Sequence, residues 1–365
     1  MITKSVTSAL KYFLVWKKTN YDEFRFRKYE QTYQNVLLRK EKKLIADLWG
    51  FIPGKINYNF YKVAKSFASK EDLHKFVSTD IFYPYILRSL NPVKFSGAYE
   101  FKGTYHRLFN INQPKYFVNA IGNTIFDNKG NIVTNKKEII DLLIEKSFIV
   151  KPTIDSACGS NIIAIQSATE KDVLSILENY KSNFIIQEIC RQSDKTKVFN
   201  ESSLNTFRVT TLFLNNHFSV LNILFRCGRG NTIVDNGGAG GLMCGCDTDG
   251  QLMPYALDNN LKKYTKSSTG QSFGVKIPEV KSIINTIKEK IDTIPFCSLA
   301  GWDFALDDEN RPVMIEVNLG GSTGIYPGIL TEQLCNETPL FGERTHEVIN
   351  WVKNNSPQIC ELLIS

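Results

Sequence analysis

Apolar and polar positions alternate most clearly between residues 206 and 227. Phe207 to Leu214 and Phe218 to Phe225 each read as a strand, and Asn215-Asn216 between them has turn chemistry, so a β-hairpin is predicted. A second hairpin is predicted from Ala305-Leu306 and Pro312 to Val317, around the polar turn Asp307-Asp308-Glu309-Asn310. Phe148 to Pro152 reads as a short buried strand stopped by proline, and Phe184 to Glu188 as another. Helical spacing takes over at Asp172 to Tyr180 and at Val280 to Ile294, the latter with lysines on its outer side. Nearer the N-terminus Leu37, Leu38, Leu44, Ile45, Leu48 and Trp49 recur at roughly helical spacing, with Arg39 to Lys43 between them. Phe51-Ile52-Pro53-Gly54 is a strong break. Two further helical stretches follow, around 55–69 and 71–90, with Ser69 a cap for the second. No internal repeat and no low-complexity linker is visible. Strand pairs with flanking helices argue for an α+β fold and against a doubly wound parallel sheet.

Composition narrows the class without naming a ligand. The 365 residues suit two or three packed subdomains. Basic residues number 44 and acidic ones 37. A net charge of +7 permits an anionic ligand but does not call for nucleic acid. The excess is concentrated in residues 1–50, which hold eleven Lys/Arg against five Asp/Glu. These segments read most simply as a helical subdomain packed on the rest; the alternative is a basic face for a membrane surface or a partner. Eight cysteines at 158, 190, 227, 244, 246, 297, 335 and 360 show no CxxC spacing, and four histidines are scattered. A zinc site is not expected, and free thiols in this number suggest a reducing cytoplasm. The first eighteen residues lack a long apolar core and a small-residue cleavage site, so no signal peptide is expected. No apolar run approaches the length of a membrane span.

The candidate chemistry lies in four segments. In Ala300 to Gly324, Asp303 sits on one strand of the second hairpin, with Glu316 and Asn318 two apart on the other. Their side chains share a face, and three oxygen ligands there would suit Mg²⁺. Val313, Ile315 and Val317 alternate with them. Two surface acids on a hairpin would be the plain alternative, weakened by Gly320-Gly321 directly after Asn318, since glycine lets a ligand approach the backbone. Lys151 ends a buried strand, which is costly unless its ammonium meets an anion. The small-residue loop Asp155 to Ser160 follows and would expose N–H groups to phosphate. It matches neither a GxxxxGK[ST] loop nor a GxGxxG turn. Gln187-Glu188 ends a strand whose backbone could pair with a purine edge, or which is an ordinary edge strand. Arg208, Arg226 and Arg229 surround the first hairpin, and Asp235 to Gly241 is too glycine-rich for a strand interior.

In order, these segments resemble the ATP-grasp superfamily. The Asp303, Glu316, Asn318 spacing is similar to that of its D-alanine–D-alanine ligase branch. The stretches KGTYHRLFN, NTIFDNKGNIVTNKKEI, FIVKPTIDSACGSNI, SLNTFRVTTL, DNGGAGG and GWDFALD with IEVNLGG most resemble the sugar-transfer-associated ATP-grasp group, which sits beside the α-L-glutamate ligase-like proteins. The resemblance covers about residues 95–345 and implies an ATP-grasp fold, two α+β subdomains clasping ATP behind an N-terminal helical region. The implied divisions are 1–95, a basic helical region; 96–190, the central subdomain with the phosphate loop; 191–350, the C-terminal subdomain with the metal site; and 351–365, a tail.

The resemblance also implies roles. Lys102 would be the first nucleotide lysine and Lys151 the one on the α/β-phosphates. Gly159, Ser160 and Asn236 would add nucleotide contacts. Gln187, Glu188 and Ile189 would form the adenine hinge. Asp303, Glu316 and Asn318 would hold Mg²⁺, and Arg208 and Arg226 would face the γ-phosphate or acyl phosphate. The chain departs from the pattern at Glu100-Phe101-Lys102, where an aspartate usually precedes the lysine, in the single Gly159 of its phosphate loop, and at Gly301, where the D-alanine ligases carry arginine. The implied activity is ATP-dependent carboxylate–amine ligation through an acyl phosphate, on a sugar acid or glycan precursor of polysaccharide biosynthesis, with an amine as second substrate. The alternatives are a phosphotransferase acting on a hydroxyl and a nucleotide-binding module without turnover. The expected setting is cytoplasmic, at most peripheral to a membrane.

Overall fold

A computed structural model describes residues 33, 35–52, 56–154, 161–232, 235, 237–320 and 328–364, with side chains to residue 355. Helix α1 (Arg39–Trp49) is amphipathic: Ile45 and Trp49 are buried, while Arg39, Lys40, Lys42 and Lys43 face outward. Helix α2 (Tyr58–Ala64) is capped by Asn57, whose side chain accepts from the Asn59 N–H at 3.0 Å. Ser69 accepts from the Asp72 N–H at 3.1 Å and caps the turn before Leu73–Lys75. The predicted stretch 71–90 is thus broken, and its helical part begins at Thr79. It widens over Phe82–Ile86, where Pro84 has no N–H to give, before closing at Leu87–Leu90. The Pro53-Gly54 break lies outside the described residues, as do residues 1–32 of the basic N-terminal region.

The first sheet holds β1 (Tyr116–Ile121), β2 (Thr124–Asp127), β3 (Phe148–Pro152), β4 (Ile163–Ile165) and β5 (Phe184–Glu188), in the order β2-β1-β5-β3-β4. Helices α3 (Lys136–Leu143) and α4 (Glu170–Asn179) cover one face. Val118, Ala120, Phe148, Val150, Phe184 and Ile186 pack there against Ile139, Leu143, Val173 and Ile176. The intervening residues Asn119, Lys151, Ile185 and Gln187 therefore point to the opposite face. β5 is a central strand, flanked by β1 and β3, rather than an edge.

The second sheet runs β10-β9-β8-β7-β6-β11-β12. Its strands are β6 (Thr206–Leu214), β7 (His217–Cys227), β8 (Leu242–Cys246), β9 (Leu252–Leu257), β10 (Lys263–Tyr264), β11 (Leu299–Leu306) and β12 (Pro312–Asn318). Every strand pair described is antiparallel, as the α+β reading expects. Asn215 and Asn216 both have positive φ, 53° and 59°, the backbone a tight hairpin needs. One face packs Phe207, Val209, Ile223, Phe225, Trp302 and Phe304 under α5 (Val280–Lys290). The other face is shared. Leu212, Leu214 and Leu299 lie under a helical layer made from the N-terminal helices, α6 (Ile329–Asn336) and α7 (Thr345–Ile364). The same face further along carries the polar residues of the next section.

The N-terminal helices are part of this core, and buried amides lock them to it. Asn91 Nδ2 donates to the Leu299 and Leu319 carbonyls at 2.6 and 2.8 Å, and its Oδ1 accepts from the Leu299 N–H at 3.0 Å. Gln333 bonds both backbone groups of Val77, each at 2.9 Å. Among the described residues no helix is long and apolar enough to cross a membrane.

Candidate active site

Strand register assembles the site. Arg208 lies opposite Asp303, Asp303 opposite Glu316, Gly301 opposite Asn318, and Thr206 opposite Arg226. Directly opposed residues of an antiparallel pair share a face, so Thr206, Arg208, Arg226, Asp303, Glu316 and Asn318 project to one side. A strict alternation would put Val313, Ile315 and Val317 on the core face. Instead Ile315 is an extra residue in the ladder: Asp303 pairs with Glu316, while Phe304 pairs with Met314. This bulge turns Met314 into the core beside Val317 and leaves Ile315 half-buried.

Asp303 is the most enclosed acid of the group, 3% exposed. Arg208 grips it with two N–H groups, Nε on Oδ1 and Nη2 on Oδ2 at 2.8 Å. Arg226 Nη2 reaches the same Oδ2 at 3.0 Å, and Asn318 Nδ2 lies 3.4 Å away. Burial pushes the Asp303 carboxyl up, but the two guanidinium groups outweigh it and hold it below its ordinary range. Thr206 ties in a further acid: its hydroxyl donates to Asp235 and accepts from Arg226 Nη2 at 2.7 Å. Burial raises Asp235 against the pull of Arg226.

Glu316 sits at the seam with the first sheet. Its Oε1 accepts from Lys102 Nζ at 2.8 Å. The Lys102 N–H in turn donates to the Thr153 carbonyl at 3.1 Å, two residues beyond Lys151. Burial lowers the Lys151 ammonium to about 8; Lys102 adds to that and Glu316 opposes it. Glu100 closes the seam, its Oε1 accepting from the N–H groups of Leu319 and of Gly320, the latter at 2.8 Å. Gly320 has φ 73°, and a Cβ there would lie 2.6 Å from Leu87, so only glycine fits the bend after Asn318.

Gln187 is buried, and its Nε2 donates to the Pro114 carbonyl at 3.1 Å. Its Oε1, like Asn119 Oδ1, makes no hydrogen bond among the described residues. Glu188 exchanges backbone and side-chain bonds with Lys115, and Ile189 follows, half-buried, where β5 ends. Arg229 is not with the other arginines; its guanidinium stacks 4.8 Å from the Tyr264 ring, near Asp258. Gly159, Ser160 and Asn236 lie outside the described residues.

Two members went unread in the sequence. Glu100 is the acid preceding Lys102. Glu332 is a lone acid within the apolar run of α6, Ile329-Leu330-Thr331-Glu332-Gln333-Leu334-Cys335, and is 1% exposed. An acid in so apolar a helix is the signal that could have marked it.

Comparison with protein families places this geometry. The model for sugar-transfer associated ATP-grasp matches residues 102–347, two-thirds of the chain. The chain belongs to this family. Its matched region starts at Lys102 and contains every site residue described above except Glu100. Comparison with curated proteins yields no significant match. Among solved structures, the sugar-transfer-associated ATP-grasp chain is similar to an L-amino acid ligase from Bacillus licheniformis at 12% identity, covering 72% of this chain and 50% of that one, with a TM-score of 0.34. It is also similar to a carboxyaminoimidazole ribonucleotide synthase from Aspergillus clavatus complexed with ATP, at 9% identity, 67% and 52% coverage and a TM-score of 0.39. A D-alanine–D-alanine ligase from Bacillus anthracis gives 11% identity, 73% and 68% coverage and a TM-score of 0.37. The chain spans about half the length of the first two.

Proposed function

We propose that this protein is an ATP-dependent carboxylate–amine ligase that forms an amide through an acyl phosphate. The observation that carries the reading is the meeting of two sheets. Lys102 and Lys151 come from the side of the first; Arg208, Arg226, Asp303 and Glu316 come from the second. Four cations gathered around two facing carboxylates form a site for a polyanion with a divalent ion.

The residues fit both groups. The face that bears Lys151 also carries two buried acceptors, Gln187 Oε1 and Asn119 Oδ1, without hydrogen bonds among the described residues. A purine amino group would satisfy such an acceptor, whose desolvation otherwise costs about 1–3 kcal/mol. Asp303, Glu316 and Asn318 supply the hard oxygen donors that Mg²⁺ prefers. When bound, Mg²⁺ would neutralise phosphate oxygens. Lys151 would meet phosphate as a point charge, and Lys102, now on Glu316, could turn to it as well. Arg208 and Arg226 are held on the shared face by Asp303 and Thr206, so their positive charge is already in place where negative charge spreads during phosphoryl transfer. The substrate carboxylate attacks the γ-phosphorus, ADP leaves, and the amine then displaces phosphate from the acyl carbon. The acid is a sugar acid or glycan precursor, a reading supported by the family's association with sugar transfer. Lys40, Lys42 and Lys43, exposed on α1 beside Leu38 and Leu44, support peripheral contact with an anionic membrane where such a precursor is anchored.

Hydroxylamine tests the intermediate. With ATP, Mg²⁺ and a panel of uronic and amino acids, a ligase yields a hydroxamate. A phosphotransferase yields a stable phosphorylated product and no hydroxamate.

A further inference from the structure

β12 is the last strand of the second sheet, with β11 as its one neighbour. It carries Glu316 and Asn318, yet it is irregular on both sides of them. The Ile315 bulge interrupts the ladder directly before Glu316, and the chain bends at Gly320, two residues after Asn318. Metal ligands need to be held to within about 0.5 Å, and a single ladder broken beside them is a loose support.

The free edge of β12 is held instead by residues 91–112. The Asn112 carbonyl accepts from the Met314 N–H at 2.9 Å, and its Nδ2 donates to the Pro312 carbonyl at 3.2 Å. The Tyr105 hydroxyl meets Val317, the residue between the two ligands. It accepts from the Val317 N–H at 3.3 Å, and its own proton has the Val317 and Glu100 carbonyls in reach, at 3.4 and 3.3 Å. Glu100 Oε1 accepts from the Leu319 and Gly320 N–H groups, and Asn91 Nδ2 donates to the Leu319 carbonyl. Pro312, Met314, Val317 and Leu319 are alternate positions with one slip at the bulge, the pattern of a strand's open side. Tyr105 is 4% exposed, and its ring packs edge-on against Phe109 at 5.4 Å. Burial and the nearby Glu316 charge raise its phenol, so it stays a neutral hydroxyl.

We propose that Tyr105 and Glu100 are positioning residues for the metal site: they grip the open edge of β12 and so hold Glu316 and Asn318 on the shared face. This rests on the metal assignment in the ligase reading. Neither residue needs to touch the ion, since each acts through the β12 backbone. Val317 is 1% exposed, so removing the Tyr105 hydroxyl leaves its N–H buried without a partner, and the strand must shift to find one. Glu316 and Asn318 flank Val317 and shift with it. Asn91 and Glu100 lie ahead of the residues that the family model matches, so the support of the metal strand begins outside that region.

A non-hydrolysable ATP analogue is titrated calorimetrically into the full chain, once with Mn²⁺ and once with EDTA, to read the gain in affinity that the metal brings. Wild type is expected to show that gain. Tyr105→Phe, which keeps the ring on Phe109, and Glu100→Ala should each lose about ten- to a hundredfold of it, the usual worth of groups that orient metal ligands. Their affinity in EDTA should stay that of wild type, which a general weakening of the fold would not allow. Glu100→Gln, whose amide oxygen can still accept from both N–H groups, should restore the gain. Thermal melting checks that each variant is folded, and the Glu100 pair decides alone should Tyr105→Phe not fold. A full gain in Tyr105→Phe or Glu100→Ala overturns the proposal and leaves the ligase reading standing. So does an equal loss with Mn²⁺ and with EDTA, or a loss in Glu100→Gln as large as in Glu100→Ala. Wild-type protein that binds the analogue with no gain from Mn²⁺ removes the metal site and the positioning role together, and wild-type protein that binds no analogue removes the ligase reading as well.

Discussion

The two sheets bring opposite things to one site. The first packs α3 and α4 on one face; its other face carries Lys151 and Gln187 and meets the Lys102–Thr104 turn, where Asn119 Nδ2 donates to the Gly103 carbonyl at 2.7 Å. Its edge strand β4 is largely exposed. The second is packed on both faces, and its charged groups are nearly closed off: the Arg208 and Asp303 side chains are 7% and 4% exposed. Buried charges of this kind are tolerated because each is met by several partners. The acid–arginine half is thus built into the fold, whereas the lysine half is the part that, on the proposed function, would meet the ligand. Removing a charge from the Arg208–Asp303–Arg226 cluster should cost stability as well as chemistry. Removing one from the lysine side should cost affinity alone.

Asp303→Asn is expected to have the largest effect. It leaves Arg208 and Arg226 facing an uncharged amide, a loss of about 3–5 kcal/mol in stability, and turnover should fall on the order of 10³ or more as metal-held charge is lost. Thermal melting and a turnover assay check both; near-normal turnover would remove Asp303 from the metal site. Glu316→Gln breaks the symmetry. Turnover should fall by a similar factor, on the order of 10³, while stability changes by only about 0–1 kcal/mol, because its lysine partnership is partly in water. A melting loss as large as that of Asp303→Asn would show the two halves to be equally structural.

Lys151→Ala should weaken nucleotide binding by about ten- to a hundredfold, the worth of one charge-assisted hydrogen bond, with little change in melting. Calorimetric titration measures it, and unchanged affinity would take Lys151 out of the site. Its ionisation gives a finer version of the same experiment. The ammonium is depressed to about 8, so above that pH the free protein increasingly holds a neutral amine that attracts phosphate less. Nucleotide affinity should fall as pH rises through 8 and beyond, and the decline should flatten in Lys151→Met. The smallest effect is expected at the surface. Neutralising Lys40, Lys42 and Lys43 should abolish binding to anionic liposomes and leave turnover on soluble substrates intact. Unchanged binding would exclude α1 as a membrane face.

What was legible in the sequence follows from local rules. Alternation marked β6 and β7, and paired asparagines marked the turn, because αL backbone is a local property of those residues. The Asp303, Glu316 and Asn318 side chains could be assigned to one face from spacing alone. The Ile315 bulge could not, since a ladder irregularity depends on the partner strand and no single strand encodes it. The central position of β5 was hidden for the same reason: its neighbours β1 and β3 lie far along the chain from one another. The N-terminal helices read as a helical subdomain packed on the rest, but Lys40, Lys42 and Lys43 give no sign of where it packs. Their other side, Ile45 and Trp49, belongs to the same buried cluster as Leu299 and Val348, about 250 to 300 residues away. Glu332 escaped because its meaning lies in Thr210 and Arg208, which reach it across the sheet.

Mass spectrometry of the products tests the central claim most directly. The full chain is incubated with ATP, Mg²⁺ and paired libraries of uronic acids and primary amines, and the same mixture is run with Asp303→Asn. An ATP-dependent species with the mass of acid plus amine less water, together with ADP and free phosphate and lost in Asp303→Asn, is the result expected of a ligase. A stable phosphorylated acid with no amide, formed whether or not amine is present, would contradict it.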